Sequence, residues 1–219
     1  MTLYPTTYID NFGKEETLFL SNGKYLKIKI RNHIFIGQSF DSLELQSSEE
    51  ITNNTFSYNE NASLTNCCFD IKFPILAKRN SEILNAFLNV KITLESSENT
   101  TTKLFALTVD NKLYDLLHGK VSGLWFENQM IQLQRLLPLD TRINSCLFCA
   151  YSNYGVSGSD NFGTLLCFKD IKDKIIEIKD KSEYIDITEN NCFFPTQETF
   201  WCSEFKEIDK NQWQYKDLI

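Results

Sequence analysis

The chain has 219 residues, 42% hydrophobic and 23% charged, with 22 Lys+Arg against 29 Asp+Glu for a net charge of −7. Such a chain can bury a sizeable core, taking about 70% of its unfolded surface out of water. The acidic balance, with no clustered Lys/Arg, excludes nonspecific nucleic-acid binding and fits a soluble protein or a binder of basic partners.

The start Met1-Thr-Leu-Tyr-Pro-Thr-Thr-Tyr-Ile-Asp10 has no basic or apolar signal region. No run approaches the length of a transmembrane helix, so no membrane association is expected. A cytoplasmic protein is expected, and its seven cysteines then read as thiols or metal ligands rather than disulfides.

The first half reads as β. Leu26, Ile28 and Ile30 alternate with Lys27, Lys29 and Arg31, the pattern of a half-buried strand. Thr17–Leu20 forms a hairpin with it across Ser21-Asn22-Gly23-Lys24. His33–Gly37 is a third strand, and Leu43 with Leu45 marks a short fourth. The Asn/Ser/Thr-rich stretch from Ile51 to Leu64 reads as a loop or weak edge strand. Cys68–Ile75 alternates again, with Pro74 placing its end at an edge or terminus. Phe87–Leu94 and Leu104–Val109 pair across an exposed polar loop, and Asp110-Asn111-Lys112 turns into Leu113-Tyr114. About eight short strands with polar turns predict an antiparallel β-sandwich or a curled sheet.

The period changes in the middle. Phe126, Met130, Leu133 and Leu137 fall on one helical face between Gly123 and Pro138, which predicts a helix over about 125–137. The predicted fold is therefore mainly β (α+β). Residues 1–140 form a β-rich domain closed by this helix. Residues 141–219 form a cysteine-rich tail packed on it.

The tail carries the one constellation with definite chemistry. Cys146-Leu-Phe-Cys149 is a C-x2-C knuckle, followed by Cys167 and Cys202. Two intervening residues let both sulfurs of the knuckle face one metal, and zinc takes four thiolates tetrahedrally at about 2.3 Å. The candidate ligands are Cys146, Cys149, Cys167 and Cys202, with a structural zinc ion as the expected cofactor. Cys67, Cys68 and Cys192 are spare candidates, and His33 or His118 could replace a thiolate. The alternatives are buried unreactive thiols or an iron–sulfur cluster on the same ligands. Between Cys167 and Cys202, the stretch Ile175-Ile-Glu-Ile178 suggests a hairpin followed by a short helix from Ser182.

Cys146-Leu-Phe-Cys-Ala-Tyr-Ser-Asn-Tyr154, Asn161-Phe-Gly-Thr-Leu-Leu-Cys-Phe168 and Thr196-Gln-Glu-Thr-Phe-Trp-Cys-Ser-Glu-Phe205 resemble an uncharacterised bacterial family. Its members share C-x-x-C-x-Y-S-x-Y, F-G-x-x-x-C-F and Q-E-T-x-x-C-x-E-F in that order. The resemblance is dense over 142–206 and thin over the β half. It implies that Cys146, Cys149, Cys167 and Cys202 are the motif cysteines, and it names no activity. Proteins of this size and style also resemble immunity proteins of bacterial toxin systems.

An enzyme needs a placed base or nucleophile. The two histidines, His33 and His118, sit in no recognisable motif, although a Cys–His pair between distant segments stays open. Four thiolates would fill the zinc sphere and leave no position for an activated water. The expectation is a noncatalytic binding protein, of immunity or accessory type, whose partner is a protein such as a basic toxin. The alternative is a small metalloenzyme or an iron–sulfur or redox protein using the same cysteines.

Overall fold

Alternation becomes strand throughout the first half. A computed structural model describes residues 1–46, 55–59, 62–95, 100–116, 126–156 and 162–216, and the side chains of 100–105 are not described. The first meander is β1 (Thr2–Asp10), β2 (Gly13–Ser21), β3 (Leu26–Ile30), β4 (His33–Gly37) and β5 (Glu44–Leu45). A small pair, β6 (Ser57–Tyr58) and β7 (Leu64–Thr65), lies in the stretch expected to be a loop or weak edge strand. The second meander is β8 (Cys67–Arg79), β9 (Glu82–Leu94), β10 (Thr100–Val109) and β11 (Lys112–Asp115). Both meanders belong to one antiparallel sheet in the order β11-β10-β9-β8-β1-β2-β3-β4-β5. Of the two architectures expected, the curled, open sheet is the one found.

The predicted hairpins stand in register. Phe19 faces Ile28 across β2 and β3, and Lys27 faces Ile36 across β3 and β4. Left-handed pairs turn two of the hairpins: Arg31 and Asn32 (φ 47° and 70°), and Asp110 and Asn111 (φ 49° and 64°). Two-residue turns of this hand match the twist of the flanking strands. Arg31 then reaches back across the sheet end. Its guanidinium grips the Asp10 carboxylate through two bonds of 2.6 and 2.8 Å and lies over the rings of Tyr8, Phe12 and Phe56.

Two expectations shift. The strand containing Pro74 does not end there but runs on to Arg79. β1 pairs with Cys67–Ile71 and β12 (Thr141–Asn144) pairs with Leu76–Arg79 along the same edge of β8. Pro74 falls in the gap between them, which accommodates a residue with no N–H to donate. The polar loop expected at 95–103 is shorter, because β10 already begins at Thr100. Residues 96–99 lie outside the described residues.

Helix α1 (Phe126–Leu136) matches the predicted stripe, with Phe126, Met130, Leu133 and Leu137 all buried. Trp125, Gly123 and His118 lie outside the described residues. The helix packs on β10 and β11. The chain then turns at Pro138-Leu139-Asp140, where Leu139 is exposed, and re-enters the main sheet as β12.

The tail adds β13 (Ser152–Tyr154), β14 (Leu165–Cys167), α2 (Lys172–Glu177), α3 (Lys181–Asn190) and β15 (Phe194–Thr196). β13, β14 and β15 form a separate three-stranded sheet. The hairpin expected around Ile175–Ile178 is instead α2. Ile171, Ile175 and Ile178 recur at helical spacing, and Ile175 and Ile178 bury against Phe168 and Tyr184. The helix expected from Ser182 is present as α3, capped by the Asp180 carboxylate accepting from Glu183 N at 3.0 Å.

The apolar core crosses from one half to the other. The ring of Phe162 lies 5.0 Å from Phe40, 5.6 Å from Phe73 and 5.1 Å from Phe126, joining sheet, helix and tail. The outer face of the first meander carries Leu3, 50% exposed, and Leu18, 46% exposed. No helix among the described residues is long and apolar enough to cross a membrane.

Candidate metal centre

The knuckle folds as a tight turn of 3-10 helix, Cys146–Phe148, in which Cys149 N donates to Cys146 O at 3.2 Å. It is strapped to the last motif by backbone bonds. Cys146 N donates to Phe200 O at 2.6 Å, Leu147 N to Glu198 O at 3.1 Å, and Ala150 N to Lys206 O at 2.8 Å. The register Ser152↔Cys167↔Phe194 across β13, β14 and β15 carries Cys167 in from the side. Cys202 opens a turn closed by Phe205 N donating to its carbonyl at 3.2 Å.

These connections place Cys167 and Cys202 within electrostatic reach of the knuckle cysteines. Burial pushes the Cys146 thiol up, and negative charge on Cys149, Cys167 or Cys202 would push it further. Cys167 is likewise pushed up by burial and feels Cys149 and Cys202. Thr196 Oγ1 donates to Cys146 Sγ at 3.6 Å. Cys146 and Cys149 are each 6% exposed, and Cys167 and Cys202 are partly covered. Among the described residues no three His, Cys, Asp or Glu side chains are drawn in to ligating positions.

The spare candidates stand elsewhere. Cys67 is buried beside Tyr8 and Asp10, and burial pushes its thiol up to about 12. Cys68 accepts from Thr93 Oγ1 at 3.9 Å, and Cys192 is exposed. His33 sits edge-on to Phe56 with ring centres 5.5 Å apart.

Two charged residues without an expected role line the same region. Lys216, buried, donates from Nζ to Leu147 O and Cys149 O at 2.9 Å and to Ser152 Oγ at 3.1 Å. Burial lowers its ammonium to about 8 against the pull of the thiols. Glu198, the middle residue of Gln-Glu-Thr, is also buried. It accepts from Gly163 N at 2.6 Å and from Tyr154 Oη at 3.4 Å. Burial raises its carboxyl to about 7, with these bonds holding it back. The signal for Glu198 lay in the quoted motif, which gave the residue no task. For Lys216 the sequence holds no periodic cue.

The same segment anchors the tail to the β2–β3 hairpin. Ser21 Oγ donates to Gln197 Oε1 at 2.5 Å, and Gln197 N donates to Gly23 O at 2.8 Å. Gly23, at φ +88°, lies directly under the Phe200 ring, where an added Cβ would come within 2.8 Å of ring carbons. The Asn22-Gly23 turn is therefore a seat for the tail as well as a hairpin loop.

No curated protein and no solved structure matches the chain. A family profile does match, over residues 2–152. The match spans the main sheet, α1 and the knuckle and stops before Cys167 and Cys202. It thus lies mostly on the β half, where the resemblance read from the sequence was thin. On that match the chain belongs to DUF6304, a family of unknown function.

Proposed function

We propose that the chain is a noncatalytic binding protein, of immunity or accessory type, whose tail is stapled to the sheet by structural zinc on Cys146, Cys149, Cys167 and Cys202. The observation that supports this reading is that four thiols from three separated segments lie within electrostatic reach of one another. The Lys216 ammonium lies within reach of three of them. A zinc ion held by four thiolates has no position left for water, so such a site serves folding rather than hydrolysis. Ligation would draw the sulfurs in to about 2.3 Å from the metal.

The binding half of the reading draws on charge and exposure. A net charge of −7 favours encounter with a basic protein, for which a toxin is the natural class. Exposed Leu3 and Leu18 share the outer face of the first meander with Glu16, Lys27 and Lys29. An apolar patch edged by charges of both signs suits a partner with an apolar centre and a polar rim.

Metal analysis of protein purified without a His tag tests the staple. About one zinc per chain in a colourless protein supports it. A brown protein with thiolate-to-iron absorption favours the alternative, an iron–sulfur or redox protein on the same cysteines. Co-expression with the product of the adjacent gene tests the binding half. A product that is harmless alone and does not co-purify overturns it. Where co-purification is seen, Leu18→Asp should abolish it while leaving the fold intact.

A further inference from the structure

The chain ends in a buried cation whose purpose the apolar core does not supply. Lys216 is 4% exposed. Its three contacts are two backbone carbonyls and one hydroxyl. The carbonyls of Leu147 and Cys149 can only accept. The Ser152 hydroxyl points its own hydrogen at the carbonyls of Cys146 and Cys149, so towards Lys216 it also accepts. Three acceptors around one nitrogen require three N–H donors, which is the charged ammonium and not the neutral amine.

A full positive charge taken out of water is strongly unfavourable unless an anion stands near it. Buried charges are accordingly paired or coordinate metals. Among the described residues no carboxylate lies within ion-pair distance of Lys216 Nζ. The groups that act on it are Cys149, Cys146, Glu127 and Cys167, in that order. Glu127, itself buried, is the one carboxylate among them and ranks behind the two knuckle cysteines; the other three are predicted ligands, and as thiols they carry no charge. A divalent metal bound by four thiolates would carry a net charge of about −2 beside the knuckle.

We propose that Lys216 is the built-in counter-cation of an anionic metal–tetrathiolate centre at Cys146, Cys149, Cys167 and Cys202, and that the C-terminal strap docks in response to metal loading. The proposal rests on the metal reading above and adds to it a mechanism. The strap around Lys216 is held by few other bonds. Gln212 Nε2 donates to Ala150 O and Tyr215 N to Asn153 Oδ1, both at 2.9 Å, while the rings of Trp213 and Tyr215 pack on Tyr184. With the metal present, the ammonium is drawn onto the knuckle and saturates carbonyls left open by its tight turn. Without it, the ammonium faces neutral thiols and is better solvated outside.

The test uses the full chain with zinc, or cobalt as a spectroscopic substitute. Lys216→Met and Lys216→Gln remove the charge, and Gln keeps part of the hydrogen bonding. Zinc affinity is read by chelator competition, and melting temperature is read with and without zinc. The expected result is an affinity lower by about tenfold or more, as for other groups that support metal ligands from behind, together with a smaller zinc-induced rise in melting temperature. Hydrogen exchange of the peptide containing Tyr215 should quicken on zinc removal in the unaltered protein. A lysine with a merely structural role would lower both melting temperatures equally and leave the zinc-induced rise unchanged, and that result overturns the proposal. Equal zinc affinity in both variants and the unaltered chain does the same. If the unaltered chain takes up neither zinc nor cobalt, the metal reading itself fails and the proposal falls with it. Should Lys216→Met not fold, the Gln variant gives the same readouts.

Discussion

The two halves of this molecule are held by different physics. The sheet is joined by continuous ladders, the longest pairing β8 with β9 over thirteen residues on each strand. Its inner face is almost wholly apolar, from Tyr4 and Phe19 to Leu88 and Ile92. The tail has strands of three residues, and much of what it buries is polar: Asn144, Ser152, Asn153, Gln197, Glu198, Thr199 and Lys216. A ladder with an apolar face carries its own stability. Short elements around buried charge need each polar group satisfied, and each lost partner leaves an expensive orphan. The sheet should therefore tolerate substitution gradually, while the tail should fail at single atoms.

The substitution that ties both halves is expected to cost most. Phe162→Ala empties the centre shared by Phe40, Phe73 and Phe126 and should destabilise by about 3–5 kcal/mol, measured by denaturant unfolding. A loss under about 1 kcal/mol would mean that the tail does not share the sheet's core. Glu198 gives a pH signature confined to the tail. Its carboxyl is raised from 4.5 to about 7, so the fold favours its protonated form. Its contribution is fully present below pH 4.5 and is lost as pH rises through about 7. The change is on the order of 3 kcal/mol. Glu198→Gln should flatten stability over that window, and an unchanged profile would remove Glu198 as its source.

Gly163→Ala is expected to cost about 1–3 kcal/mol. Gly163 sits at φ +95°, and a Cβ there would stand 2.6 Å from Gln38 O. The same position donates to Glu198, so thermal melting and the pH profile should shift together. Smallest of all is the effect expected at Cys192. Cys192→Ser, at an exposed site apart from the four, should change stability by less than about 0.5 kcal/mol. Its counterpart Cys149→Ser, if zinc is bound as proposed, should cost the tail much of its stability, because metal-binding free energy is folding free energy. Equal and mild effects from the two would make the four thiols ordinary buried residues.

What the sequence made legible follows the same division. Alternation identified β3 and β4 closely but only the second half of β2 and none of β1, since side chains on a regular strand choose one face while the β1–β2 ladder is mixed in polarity. The stripe Phe126, Met130, Leu133 and Leu137 was legible because helical spacing has a single meaning over three turns. Pro74 misled because its tolerance depends on a gap between β1 and β12, which join the edge of β8 from distant parts of the chain. Ile175–Ile178 misled because three isoleucines in four residues fit either period, and only the burial of Ile175 and Ile178 against Phe168 and Tyr184 decides. Lys216 and Glu198 were illegible as buried charges. A charged side chain carries no mark of burial until its acceptors and donors arrive from elsewhere in the fold. The cysteine spacing suggested a shared site without revealing the cation behind it.

The seat of Phe200 on Gly23, and the bond from Ser21 to Gln197 across 176 residues, bear on how the molecule is made. The β2–β3 hairpin leaves the ribosome early with Ser21 and Gly23 shaped for a segment not yet synthesised. Its own ladder can form at once, because its pairing is local. The face meant for the tail must wait, wet and uncovered, until nearly the whole chain has emerged. A chain cut short anywhere before Gln197 would hold a well-formed sheet with an open seat, and that seat would mark it for quality control as unfinished.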